Sequence, residues 1–98
     1  MYKTYTPTYK ATAGADQVIS TGKSILHAII IGADVASSVI EVSDSATDGD
    51  GNVKIYLAGS TLMTSTGGAI KVGALFPNGI TVDTTNQTHV TYIWEPIA

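Results

Sequence analysis

Apolar and polar positions alternate in short runs along most of this 98-residue chain, and each run stops at a cluster of Gly, Pro, Asn, Asp, Ser or Thr. A period of two sends successive side chains to opposite faces of an extended strand. Residues 69–76, 80–83 and 88–94 follow this pattern, separated by Pro77-Asn78-Gly79 and by Thr84-Thr85-Asn86-Gln87. The same grammar predicts strands over residues 17–20, 24–31, 38–43, 53–58 and, weakly, 61–64. Ile40 and Val42 are the expected inward pair of one strand, and Val53, Ile55 and Leu57 the inward set of the next. Residues 24–31 (Ser-Ile-Leu-His-Ala-Ile-Ile-Ile) are apolar on both faces, which predicts a central strand covered twice. Pro77 presets the first corner of a type I turn, Asn78 suits the second, and Gly79 takes the left-handed conformation of a bulged hairpin, so a tight hairpin is expected there. No stretch has a helical period; the best, residues 33–39, is short and rich in the poor helix formers Ser and Val. About eight short strands spaced roughly 8–12 residues apart are the signature of an all-β sandwich or barrel, and a compact antiparallel β-sandwich is expected.

The start of the chain is different. Residues 1–15 alternate Tyr, Thr, Lys and Pro and then run into Ala-Thr-Ala-Gly-Ala. Pro7 excludes a stable helix, and the segment is expected to be an extended Tyr-rich arm ahead of a sandwich domain over residues 16–98. Tyr2, Tyr5 and Tyr9 lie in it. With Tyr56 they are the candidate interface residues, because tyrosine offers a large amphipathic contact surface.

Composition points the same way. Charged residues are 13% of the chain, against about 25% in an average soluble protein, while apolar residues are 44%. A small domain has a large surface to cover, so either Ser and Thr solvate it or another subunit does. A homo-oligomer is expected, with a trimer as the working stoichiometry. Net charge is −3, there is no Arg, and the Lys residues are scattered. Phosphate neutralisation needs a clustered basic face, so a nucleic-acid partner is disfavoured. The longest apolar run, residues 25–31, falls far short of the ~20 residues of a membrane span. The first residues lack the apolar stretch of a secretion signal, so a soluble chain made in a cytoplasm is expected. Cysteine is absent, which removes disulfides, thiol nucleophiles and thiolate metal sites.

The residues that invite chemistry have plainer readings. Asp48-Gly49-Asp50-Gly51-Asn52 spaces oxygen ligands as a calcium loop does, but the sixth position is Val53 and the twelfth Gly59, where an EF-hand needs Gly and a bidentate Glu. It reads as a hairpin loop held by Asp and Gly turn chemistry. His27 and His89 sit in predicted strands without a G-x-S-x-G elbow to present a nucleophile. Asp34, Glu41, Asp83 and Glu95 are carboxylates without the cleft that glycoside cleavage requires. Gly67-Gly68 and Gly49-x-Gly51 open no helix and make turns rather than a phosphate cradle. The expectation is a protein that is not an enzyme, with no catalytic residues, cofactor or bound metal.

Residues 24–31, the alternating strand ending in Asp44-Ser45, the Leu75-Phe76-Pro77-Asn78-Gly79-Ile80-Thr81-Val82 segment and the closing Val90-Thr91-Tyr92 together resemble small structural proteins of tailed bacteriophages. The resemblance spans about residues 24–95. It implies a small sandwich, often jelly-roll-like, made in the host cytoplasm and built into a virion as a head, neck or tail accessory. It further implies a homo-oligomer that docks on other virion proteins and has no enzymatic activity. The alternative reading is a lectin-like carbohydrate-binding module that stacks Tyr56 or Trp94 on a host-surface glycan.

Overall fold

The computed structural model describes residues 5–32, 37–58 and 69–97. Eight strands account for most of them: β1 (Thr6–Lys10), β2 (Gly14–Ser20), β3 (Ser24–Ile31), β4 (Val39–Asp44), β5 (Val53–Ala58), β6 (Ala69–Phe76), β7 (Ile80–Thr85) and β8 (Val90–Pro96). The expected weak strand at 61–64, together with Tyr2 and Asp34, lies outside the described residues. The strands form two four-stranded sheets, β1-β8-β3-β6 and β2-β7-β4-β5. Every pairing is antiparallel, and the partners nest: β4 with β5, β3 with β6, β2 with β7, β1 with β8. That nesting is the jelly roll, four strands out and four back, rolled so that alternate strands fall in alternate sheets.

One consequence corrects a local expectation. Only β4 to β5 returns within its own sheet; all other connections cross between layers. Residues 76–80 therefore turn the chain sharply but join β6 of the first sheet to β7 of the second, and do not form a hairpin. Turn chemistry specifies a reversal, not the partner of the strand that follows. That partner is chosen by a clasp. The Asn78 backbone N–H donates to Asp44 Oδ1 at 2.8 Å and its side-chain amide to Asp44 Oδ2 at 3.2 Å. Thr81 Oγ1 donates to the Ser45 carbonyl at 2.8 Å. Gly79, at φ +137°, fits against the Ser20 and Ser45 carbonyls, where a Cβ would lie 2.6 and 2.9 Å from the two oxygens. Asp44-Ser45 and Pro77-Asn78-Gly79, separate motifs in the sequence, form one structural unit.

The expected two-sided burial of residues 24–31 also needs amending. β3 is indeed central, between β8 and β6. Against β8, however, the register shifts between Leu26 and Ala28, so His27 is an extra residue that the partner strand does not match. Such a bulge breaks the alternation: Leu26, Ile29 and Ile31 all point inward and are fully buried, while Ile30 remains exposed. The apolar run reads as two-sided because it changes phase at His27.

The core lies between the sheets. Leu26, Ile29, Ile31, Phe76, Val90 and Tyr92 come from the first sheet, and Ile19, Ile40, Val42, Ile80 and Val82 from the second. Ile40 and Val42 are inward as expected. Ile55 and Leu57 pack against the core half-buried, whereas Val53 is exposed. The reason is a second bulge: the β4–β5 register skips Lys54, which turns Val53 outward opposite Ser43. A fully buried aliphatic side chain stabilises by about 1.5–3 kcal/mol, so these eleven residues supply most of the cohesion of a domain without disulfides.

Candidate interface on the first sheet

Residues paired across an antiparallel ladder point to the same side, so the register assigns each outer face. On the first sheet, β1 turns Pro7 and Tyr9 outward, with Tyr5 just ahead of it against His27, and β8 turns Thr91, Ile93 and Glu95 outward. β3 adds Ile25, Ala28 and Ile30, and β6 adds Ala69, Lys71 and Leu75. Among the described residues the acidic and basic side chains that the register turns to this face are Glu95, which is bonded to His27, and Lys71. His27 Nε2 lies 2.7 Å from Glu95 Oε1, and the Tyr5 ring covers the imidazole with centroids 4.4 Å apart, tilted by 50°. Tyr9 sits 6.2 Å from the His89 ring at one margin. Four of the exposed large apolar side chains lie on this sheet, Tyr5 46%, Tyr9 56%, Ile30 36% and Leu75 44%, and three, Val18, Val53 and Tyr56, on the second, where they stand beside acidic groups.

The second sheet presents a different surface. Glu41 is the direct cross-strand neighbour of both Asp83 and Tyr56; Thr85 shares the face exposed, whereas Ser43 and Thr81 on the same side are buried. At its margin the β4–β5 loop meets β2. Asp16, Asp48 and Asp50 bring carboxylate oxygens within 4.8 Å of one another. Asp16, held at φ +51°, accepts from the Gly49 N–H at 2.8 Å, and its own N–H donates to Asp83 Oδ1 at 2.6 Å. Asp48 accepts from the Asp50 N–H at 3.1 Å. Hydrogen bonding from Asp50 lowers the Asp48 carboxyl, while the hydrogen bond to Asp48 and then the charges of Asp48, Asp83 and Asp16 raise Asp50. All three cluster residues are exposed. The loop that resembled a calcium site is the β4–β5 hairpin loop, and the fold adds Asp16 and Asp83 to it. Asp83 is one of the carboxylates that the sequence singles out, but its place beside this loop, like that of Asp16, is not legible there, because both reach it from strands more than thirty residues away in the chain.

The remaining candidates are dispersed. Tyr5 and Tyr9 share the first sheet's outer face, whereas Tyr56, 62% exposed, stands on the opposite sheet. The segment carrying Tyr5 and Tyr9 is extended, and its residues 6–10 are hydrogen-bonded onto β8 as the outermost strand. β2 begins at Gly14, so residue 15/16 falls inside a strand. Trp94 faces inward opposite Leu26 and donates its indole N–H to Thr8 Oγ1 at 2.9 Å. His89 lies just outside β8, exposed, bonded to the Thr88 hydroxyl at 2.9 Å. No pocket opens among the described residues.

Compared with known protein families, characterised proteins and solved structures, the chain matches none. None of these comparisons links it to tailed bacteriophages.

Proposed function

We propose that the chain is a non-enzymatic structural module of a virion, which assembles with copies of itself and docks on a capsid or tail. The observation that carries this reading is the outer face of the first sheet: a broad apolar surface on a domain with few charges. Large exposed apolar patches mark interaction surfaces. The jelly roll is a recurrent architecture of capsid proteins, although it also serves lectins and cupins, so the face rather than the fold argues for assembly. Protein sequencing of purified, gradient-banded particles tests the reading. The chain is expected in fixed stoichiometry with the capsid or tail proteins; its presence only in the soluble fraction would refute virion incorporation. Binding on a glycan array that is lost in Tyr56→Ala would assign the chain to jelly-roll lectins instead.

A further inference from the structure

We infer that two copies of this chain meet through the outer face of the β1-β8-β3-β6 sheet, packed face to face about a two-fold axis. The inference rests on the self-assembly reading above and adds the surface that mediates it. A two-fold contact brings a patch onto itself, so the patch must tolerate its own charges. On the first sheet it does. Glu95 is bound to His27 at 2.7 Å, and Lys71 stands on the edge strand β6. The second sheet joined to itself would oppose Glu41 and Asp83 with their own copies, with Asp16, Asp48 and Asp50 at the margin. In a chain of net charge −3, that face repels its twin.

Area fits as well. The body measures 38 × 31 × 19 Å. Sheets stack about 10 Å apart, so the short axis is the stacking direction and the broad sides are the sheet faces. One broad side is about a quarter of the surface of such a body, or on the order of 1,200 Å² of its 5105 Å². A standard interface takes about 800 Å² from each partner.

The strand edges, the other route to sheet association, are blunted. β1 carries Pro7, which has no N–H to donate. β2 is bulged twice, at 14/17 and 18/20. β5 bulges at Lys54, whose Nζ reaches across to the Leu75 carbonyl of β6 at 2.9 Å. β6 is kinked at Gly73, φ +65°. With the edges blunted and the second sheet's exposed apolar groups set beside like charges, the first sheet's face is the surface that suits a second copy.

Sedimentation of the full chain between about 1 µM and 1 mM tests this. A mass rising toward twice the 10.1 kDa chain is expected. Ile30→Glu and Leu75→Glu should each raise the dissociation constant at least about tenfold, as loss of a well-packed apolar contact does, and Tyr56→Glu on the opposite sheet should leave it unchanged. Leu75→Thr, which keeps strand propensity, gives the same direction should the charged variants lose their β-sheet circular dichroism. An oligomer insensitive to the position-30 and position-75 variants, or a trimeric mass, overturns this surface while leaving self-assembly standing. A monomer at every concentration overturns both.

Discussion

Tyr92 gives the sharpest single-residue test of the packing. It lies in the middle of β8, opposite Ile29 and Thr8. Its exposure is 0%, and its hydroxyl has no hydrogen-bond partner. A buried hydroxyl without a partner costs about 1–3 kcal/mol relative to its solvated state. Tyr92→Phe keeps the ring and removes that oxygen. The void left is smaller than a water, roughly 15 Å³, and costs about 0.4 kcal/mol at ~24 cal/mol per Å³. The variant is therefore expected to be more stable by about 1 kcal/mol, a rise of roughly 4–8 °C in Tm for a domain of this size. Urea denaturation at pH 7 measures it. The pH dependence supplies a second reading. Burial holds the phenol well above its ordinary value of 10. A group raised in the folded state contributes its full stability below the unfolded pKa and loses it as pH rises. The advantage of Tyr92→Phe should be flat below about pH 9 and widen by up to about 1.4 kcal/mol per pH unit above 10. A variant that loses more than about 0.5 kcal/mol at pH 7 would refute the reasoning, since the hydroxyl would then be making a useful hydrogen bond.

Three further outcomes are expected. Asp44→Ala removes both acceptors of Asn78 and should cost about 2–3 kcal/mol in denaturant midpoints; combined with Asn78→Ala it should fall short of additivity by about 1 kcal/mol, and full additivity would show that the clasp is not a coupled unit. Gly79→Ala places a Cβ against two carbonyl oxygens at a φ that L residues rarely adopt, so a loss of about 2 kcal/mol or more is expected; a loss under about 0.5 kcal/mol would mean the turn relaxes freely. Asp50→Asn should raise the thermal midpoint at pH 7, because the hydrogen bond to Asp48 and the neighbouring carboxylates raise Asp50. A raised carboxyl adds stability when protonated and loses it as pH climbs, so the gain should fade below about pH 4; identical midpoint–pH curves for the two proteins would reject the repulsion.

Much of the secondary structure is legible from period alone. The strands at Val39–Asp44, Val53–Ala58 and Ala69–Phe76 fall within a residue of their expected limits. An all-β sandwich or barrel follows from strand number and spacing, and from the lack of helical period, but the nesting that makes it a jelly roll does not. Three things are not written locally. The β6–β7 partnering fails because Pro77-Asn78-Gly79 encodes a turn in either topology, while the choice of sheet rests with Asp44 and Ser45, more than thirty residues upstream. The inward set of β3 and of β5 fails where bulges at His27 and Lys54 shift the phase, and nothing in the residue types there announces a bulge. The outer face of the first sheet assembles residues 5–9, 25–30, 69–75 and 91–95, so its apolar character emerges only once the register is known. Low charge in the composition pointed to a covered surface; it did not say which one.

If another copy of the chain covers the outer face of the first sheet, stability must depend on concentration. The thermal midpoint of the 98-residue chain over a thousandfold dilution reads this out. If association stabilises the fold, dilution across that range removes about 4 kcal/mol shared by the two chains of a pair, and the midpoint falls by several degrees. A midpoint that does not move, together with a monomeric mass at the highest concentration, would contradict the claim.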